Sequence, residues 1–156
     1  MGTEPIVCAS VTYPEACPDC GARLVGHGVQ ALVGDRLRWD VESSCVACGY
    51  AVAACDTGPP PPGHRVRLLA EHGPAVLRLG DEPASGRVSV SVVMRVLRAL
   101  PGSRPDLAQA RDEARRILAG EWTGTLPETE RLARGLRAAG VAAEAVPATE
   151  PAQRSG

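Results

Sequence analysis

The chain has 156 residues, a formal net charge of −1, 22% charged and only 3% aromatic residues, and its 17 basic residues are all Arg. That length fits one ordinary domain or two small ones, and a charge near zero excludes a strongly basic nucleic-acid footprint. No run approaches the roughly 18 apolar residues of a membrane span and no basic, apolar leader opens the chain, so a cytoplasmic protein is expected. Absence of Lys, Phe and Asn is the composition expected of GC-rich bacterial codon usage.

All six cysteines precede residue 56, which sets an N-terminal unit, residues 1–57, apart from the remainder. Three arginines against seven acidic residues leave residues 1–58 at −4; fourteen against eleven leave the rest at +3. Residues 1–16 have no clear period, although Ile6, Cys8 and Val11 can supply an edge strand. Cys17-Pro-Asp-Cys20-Gly21 follows, then Gly26, Gly28 and Gly34 as punctuation, with His27 read as a loop residue. Arg36–Glu42 alternates strictly, placing Leu37, Trp39 and Val41 on one face, the mark of a half-buried strand. Cys45-Val-Ala-Cys48-Gly49 repeats the first motif, and Tyr50–Ala54 can return as a short strand.

Two Cys-x-x-Cys knuckles at the tips of two hairpins supply the four soft ligands that a tetrahedral zinc requires, and in a reducing cytosol such pairs bind metal more often than they form disulfides. Cys17, Cys20, Cys45 and Cys48 are therefore the expected ligands of one structural Zn²⁺. In each knuckle the Gly after the second Cys permits the turn that aims backbone amides at sulfur. A closed four-Cys set has no open position for water, so zinc catalysis is not expected. The knuckles resemble the zinc-ribbon and rubredoxin type over residues 15–55; a rubredoxin would hold iron and carry electrons, but of its ring of aromatics only Trp39 and Tyr50 are present. Cys8 and Cys55 are left over, as small buried residues or as a free thiol.

Gly58-Pro-Pro-Pro-Pro-Gly63 reads as a semi-rigid spacer in polyproline II form, continued by a short helix from about residue 65 to 72, so that residues 58–73 join two domains. Beyond it the period changes. Ala75–Leu79 reads as a strand; Val90, Val93, Met94, Leu97 and Leu100 mark a helix stopped at Pro101-Gly102. Pro105 at a first-turn position opens a second helix, through Leu107, Ala110, Ala114 and Ile117 to Gly120. Glu121–Leu126 is a weak strand, Pro127 opens a third helix capped by Gly140, and Val141–Val146 closes the set. Residues 148–156 are expected to be disordered. The fold class is thus α+β: a small antiparallel ribbon followed by a βααβαβ unit over residues 74–147.

The segments SVVMRVLRALPG (Ser91 to Gly102), LAQARDEAR (Leu107 to Arg115) and ERLARGLRAAGVAAEAV (Glu130 to Val146) resemble the C-terminal domain of the bacterial ribosomal stalk protein, large-subunit protein seven/twelve. That resemblance covers residues 75–147. It implies a domain that captures translational GTPases, such as elongation factors G and Tu, on basic residues of its first two helices. By position these are Arg95, Arg98 and Arg111; Ala108 stands where the family has Lys, and Ser103-Arg-Pro replaces its Gly-Leu-Gly turn, with Arg104 as a substitute charge. The family's helical dimerisation domain is replaced here by the ribbon.

The reading that follows is a non-enzymatic adaptor whose C-terminal domain docks a protein, a translational GTPase or the ribosome. Nucleic-acid binding by the ribbon is the alternative; Arg23, Arg36 and Arg38 would be its only cations. An iron-loaded electron carrier is the third.

Overall fold

Four strands at the start of the chain run as an antiparallel meander: β1 (Val7–Ala16), β2 (Arg23–Val33), β3 (Arg36–Ser44) and β4 (Ala51–Thr57), in spatial order β1-β2-β3-β4. The computed structural model describes residues 4–80, 88–102 and 104–147, so the expected tail from residue 148 and the turn residue Ser103 lie outside the described residues. As expected for β3, Leu37 is buried and Trp39 and Val41 are half-buried, with the intervening charges exposed. The segment around Val11 forms a full-length strand. β2, read from the sequence as punctuation, is the longest strand, so His27 stands in a strand, not a loop; its Nδ1 lies 3.1 Å from Thr12 Oγ1 on the outer face.

The reason β2 escapes a pattern reading is that its inward positions are Leu24, Gly26, Gly28, Gln30 and Leu32, while Val25, Val29 and Val33 point outward. The two inward glycines make room for other side chains. A Cβ on Gly26 would stand 2.5 Å from the ring of Tyr13, its cross-strand partner, and one on Gly28 would stand 2.7 Å from His64 Nδ1. His64 belongs to helix α1 (Pro62–His72), which lies across this face. Tyr13 Oη and His64 Nε2 are 3.0 Å apart, and the Arg67 guanidinium sits 3.6 Å above the Tyr13 ring, a cation–π stack.

The remaining elements are β5 (Ala75–Leu79), α2 (Val90–Ala99), α3 (Leu107–Leu118), β6 (Thr123–Gly124), α4 (Leu126–Ala138) and β7 (Ala143–Pro147). They form a three-stranded antiparallel sheet of order β6-β5-β7, with the helices bringing Val93, Leu97, Ile117, Leu132 and Leu136 to a shared core. Asp106 and Thr125 cap α3 and α4 with reciprocal capping boxes, to Gln109 and Glu128. Pro105 therefore precedes the cap of α3 instead of standing in its first turn, and α1 begins three residues before the expected position because Pro62 suits a first-turn site.

Helix α4 packs against β5 and β7 on one side and against β1, β2 and β3 on the other. The proline segment consequently does not hold two units apart: Gly58 N–H donates to Leu37 O (2.9 Å), Pro60 is buried, and the two sheets share one helix. Polar side chains join them. Arg134 is buried and donates to Gly34 O (2.9 Å), to Pro5 O and to Glu130 (3.1 Å). Gln30, fully buried, accepts from Thr125 Oγ1 and donates to Glu128 (3.4 Å), and Arg65 makes a two-pronged pair with the same carboxylate at 2.9 and 3.0 Å.

Candidate metal centre and docking face

Both knuckles lie at the same end of the four-stranded sheet, one in the β1–β2 turn and one in the β3–β4 turn. Each is folded by the same pair of backbone bonds. Cys17 N–H donates to Ala22 O (2.7 Å) and Gly21 N–H to Cys17 O (2.9 Å); Cys45 N–H donates to Tyr50 O (2.7 Å) and Gly49 N–H to Cys45 O (2.9 Å). Gly21 and Gly49 take φ of 75° and 80°, a left-handed turn that side chains disfavour, which is why a glycine follows the second Cys of each pair.

This construction brings the four sulfurs of Cys17, Cys20, Cys45 and Cys48 within 4.8 Å of one another, with Cys17–Cys48 and Cys20–Cys45 both at 3.6 Å. Four sulfurs about 2.3 Å from a central zinc at tetrahedral corners would stand about 3.8 Å apart, so the donor set fits one ion. The thiols differ in acidity. Backbone N–H groups of Cys48 and Ala47 at the Cys45 sulfur, aided by neighbouring thiols, lower Cys45 to about 7. Cys48, although Tyr50 N–H bonds to its sulfur, is pushed up to about 12 by burial and by the other three sulfurs. Four thiolates cannot share so small a volume without a cation, which a metal ion held there would supply.

Cys17 and Cys45 are buried at 4% and 3% exposure, while Cys20 and Cys48 face outward. Cys8 and Cys55 are both exposed, on the outer strands β1 and β4 with two strands between them, and neither approaches the cluster. The alternative of a buried residue therefore does not hold for either. Arg23 lies beside the knuckles, whereas Arg36 and Arg38 lie at the far end of β3, roughly 30 Å along the sheet, so the three do not form one patch.

On the other sheet's helices, Arg95, Arg98, Arg104 and Arg111 are all exposed, and none makes an ion pair among the described residues. Arg95, Arg98 and Arg104 converge on a shallow groove between α2 and α3, floored by Met94 and flanked by Leu107, which is 58% exposed. Arg111 is one turn further along α3 and does not line it. The charges of this face were legible in the sequence and its apolar half was not: Leu107 shares the stripe of Ala110, Ala114 and Ile117 and was expected to be buried with them, but at the first position of α3 it runs past the core and stays exposed. No helix is long and apolar enough to cross a membrane among the described residues. Compared with protein-family models, curated protein sequences and solved structures, the chain matches none.

Proposed function

We propose that this protein is a non-enzymatic adaptor in which Cys17, Cys20, Cys45 and Cys48 hold a structural zinc that fixes the N-terminal sheet, while the α2–α3 face docks an acidic protein surface. The observation that carries the docking half is the groove where Arg95, Arg98 and Arg104 surround Met94 and Leu107, with no carboxylate paired to any of them among the described residues. Unpaired cations around an apolar floor are suited to a partner that offers carboxylates around an apolar residue. The likeness of these helices to the ribosomal stalk domain favours a translational GTPase as that partner, or the ribosome that recruits it.

Zinc suits a closed set of four thiolates and holds one oxidation state, which agrees with a clasp and not with electron transfer. The docking reading is tested by titrating purified elongation factors G and Tu, and ribosomes, with the labelled protein and with Arg95→Glu/Arg98→Glu. Saturable binding that weakens about tenfold or more in the double variant is expected, since each charged contact is worth about 1.5–3 kcal/mol. Absence of binding to all three, or equal binding by the variant, overturns it.

A further inference from the structure

The two sheets meet around α4 but do not close completely. Between α1, the α2–α3 turn, α3 and the start of α4 a cavity of about 650 Å³ remains, within the range of small-molecule sites and at the kind of junction where they occur. Leu37, Leu69, Leu97 and Leu132 give it apolar walls, and the Trp122 indole forms one side, its Nε1–H donating to Glu113 (3.1 Å).

Three arginines and two glutamates face this space. Arg65 is satisfied by Glu128, and Glu113 is engaged by Trp122. Arg131 is not satisfied. Its Nη1 donates to Pro101 O (2.8 Å), its Nε is buried without a hydrogen-bond partner, and it makes no ion pair among the described residues. Burial lowers its proton affinity, offset only in part by the charges of Glu128, Glu113 and Asp35. A guanidinium does not discharge in proteins, so Arg131 remains a desolvated cation with an unused donor. Arg116, exposed on α3, stands at the same cavity, also without an ion pair among the described residues.

We propose that this cavity binds a small organic anion with a flat apolar body, its charged group meeting Arg131 and Arg116 and its body lying against Trp122 and the leucine walls. An anion completes the hydrogen bonding of Arg131 with charge-assisted bonds. A bare inorganic anion would do this while leaving most of the volume unfilled, and a cation would meet the excess of arginine.

The test uses the metal-loaded full chain and 8-anilinonaphthalene-1-sulfonate as probe, followed through the indole N–H signals of the two tryptophans in a proton–nitrogen correlation spectrum. One-to-one saturation that shifts Trp122 and leaves Trp39 in place is expected, with affinity falling about tenfold or more in Arg131→Gln and in Arg116→Glu. Inorganic phosphate should bind far more weakly than the probe. An absence of saturation, a shift at Trp39 alone, phosphate binding as tight as the probe, or wild-type affinity in both variants overturns the proposal. Should Arg131→Gln fail to fold, the surface variant Arg116→Glu decides alone: a tenfold weaker site supports it and an unchanged one overturns it.

Discussion

Eleven buried residues from β5, β7, α2, α3, α4 and the α4–β7 turn form one continuous core under the three-stranded sheet, whereas the knuckle end of the four-stranded sheet has only Cys17, Leu24 and Cys45. Further along, that sheet buries Val11, Leu32 and Leu37, and fills its glycine positions with Tyr13 and His64. One sheet is held by ordinary apolar burial. The other depends on a four-sulfur cluster at one end and on a borrowed helix at the other. A small unit that cannot bury enough apolar surface needs such an external constraint, and a metal held by the four sulfurs would share that work with α4.

The largest difference between the two sheets is expected at the four-sulfur cluster. Cys45→Ser should abolish stoichiometric metal binding and cost the N-terminal sheet on the order of 10 kcal/mol, the scale of a structural zinc site. Amide hydrogen exchange should then report lost protection across β1 to β4 and retained protection in α2 and α3; uniform loss would mean that the two sheets fold only together. Leu132→Ala is expected to cost about 2–5 kcal/mol in denaturant unfolding, because Leu132 is 2% exposed in the larger core. Metal content should remain at one per chain.

A smaller effect tests the shared helix. Arg134→Ala leaves Gly34 O and Pro5 O without their donor, and Glu130 with Arg137 alone, and should destabilise by about 2 kcal/mol, with faster exchange at the β2–β3 turn. Unchanged exchange there would separate the sheets energetically despite their contact.

The smallest effect is pH-dependent. Burial, with Arg67 close by, holds His64 below its ordinary value of 6.5, the nearby Glu15 opposing. Burial alone would raise Glu128, but Arg65, the Thr125 amide and Gln30 outweigh it and hold the carboxyl below 4.5. In both cases the unfolded chain binds the proton more readily, so stability is complete above the unfolded value and is lost as pH falls through the folded one. Thermal unfolding should therefore show a decline beginning near pH 6.5 that His64→Gln removes, and a second below about 4.5 that Glu128→Gln removes.

Much of this arrangement was legible before the fold was known, for particular reasons. The knuckles are read locally, because spacing and the following glycine specify both the ligands and the turn. β3 and the helices from Val90 onward show clean periods of two and 3.6. β2 was hidden because Gly26, Gly28 and Gln30 occupy inward positions while valines face solvent, reversing the usual pattern. The docking of the two sheets was hidden too, since Gly58–Gly63 has a spacer's composition, and Arg134, a surface residue by type, is buried. The cavity had no local sign at all: Leu37, Arg65, Trp122 and Arg131 come from four separate elements or turns.

The measurement closest to the central claim is X-ray absorption at the metal edge of protein purified without added metal, together with its mass under native conditions. One zinc per chain with four sulfur neighbours at about 2.3 Å is the predicted result. A chain without metal, a site with nitrogen or oxygen in place of a sulfur, or iron in the four-sulfur set would contradict it.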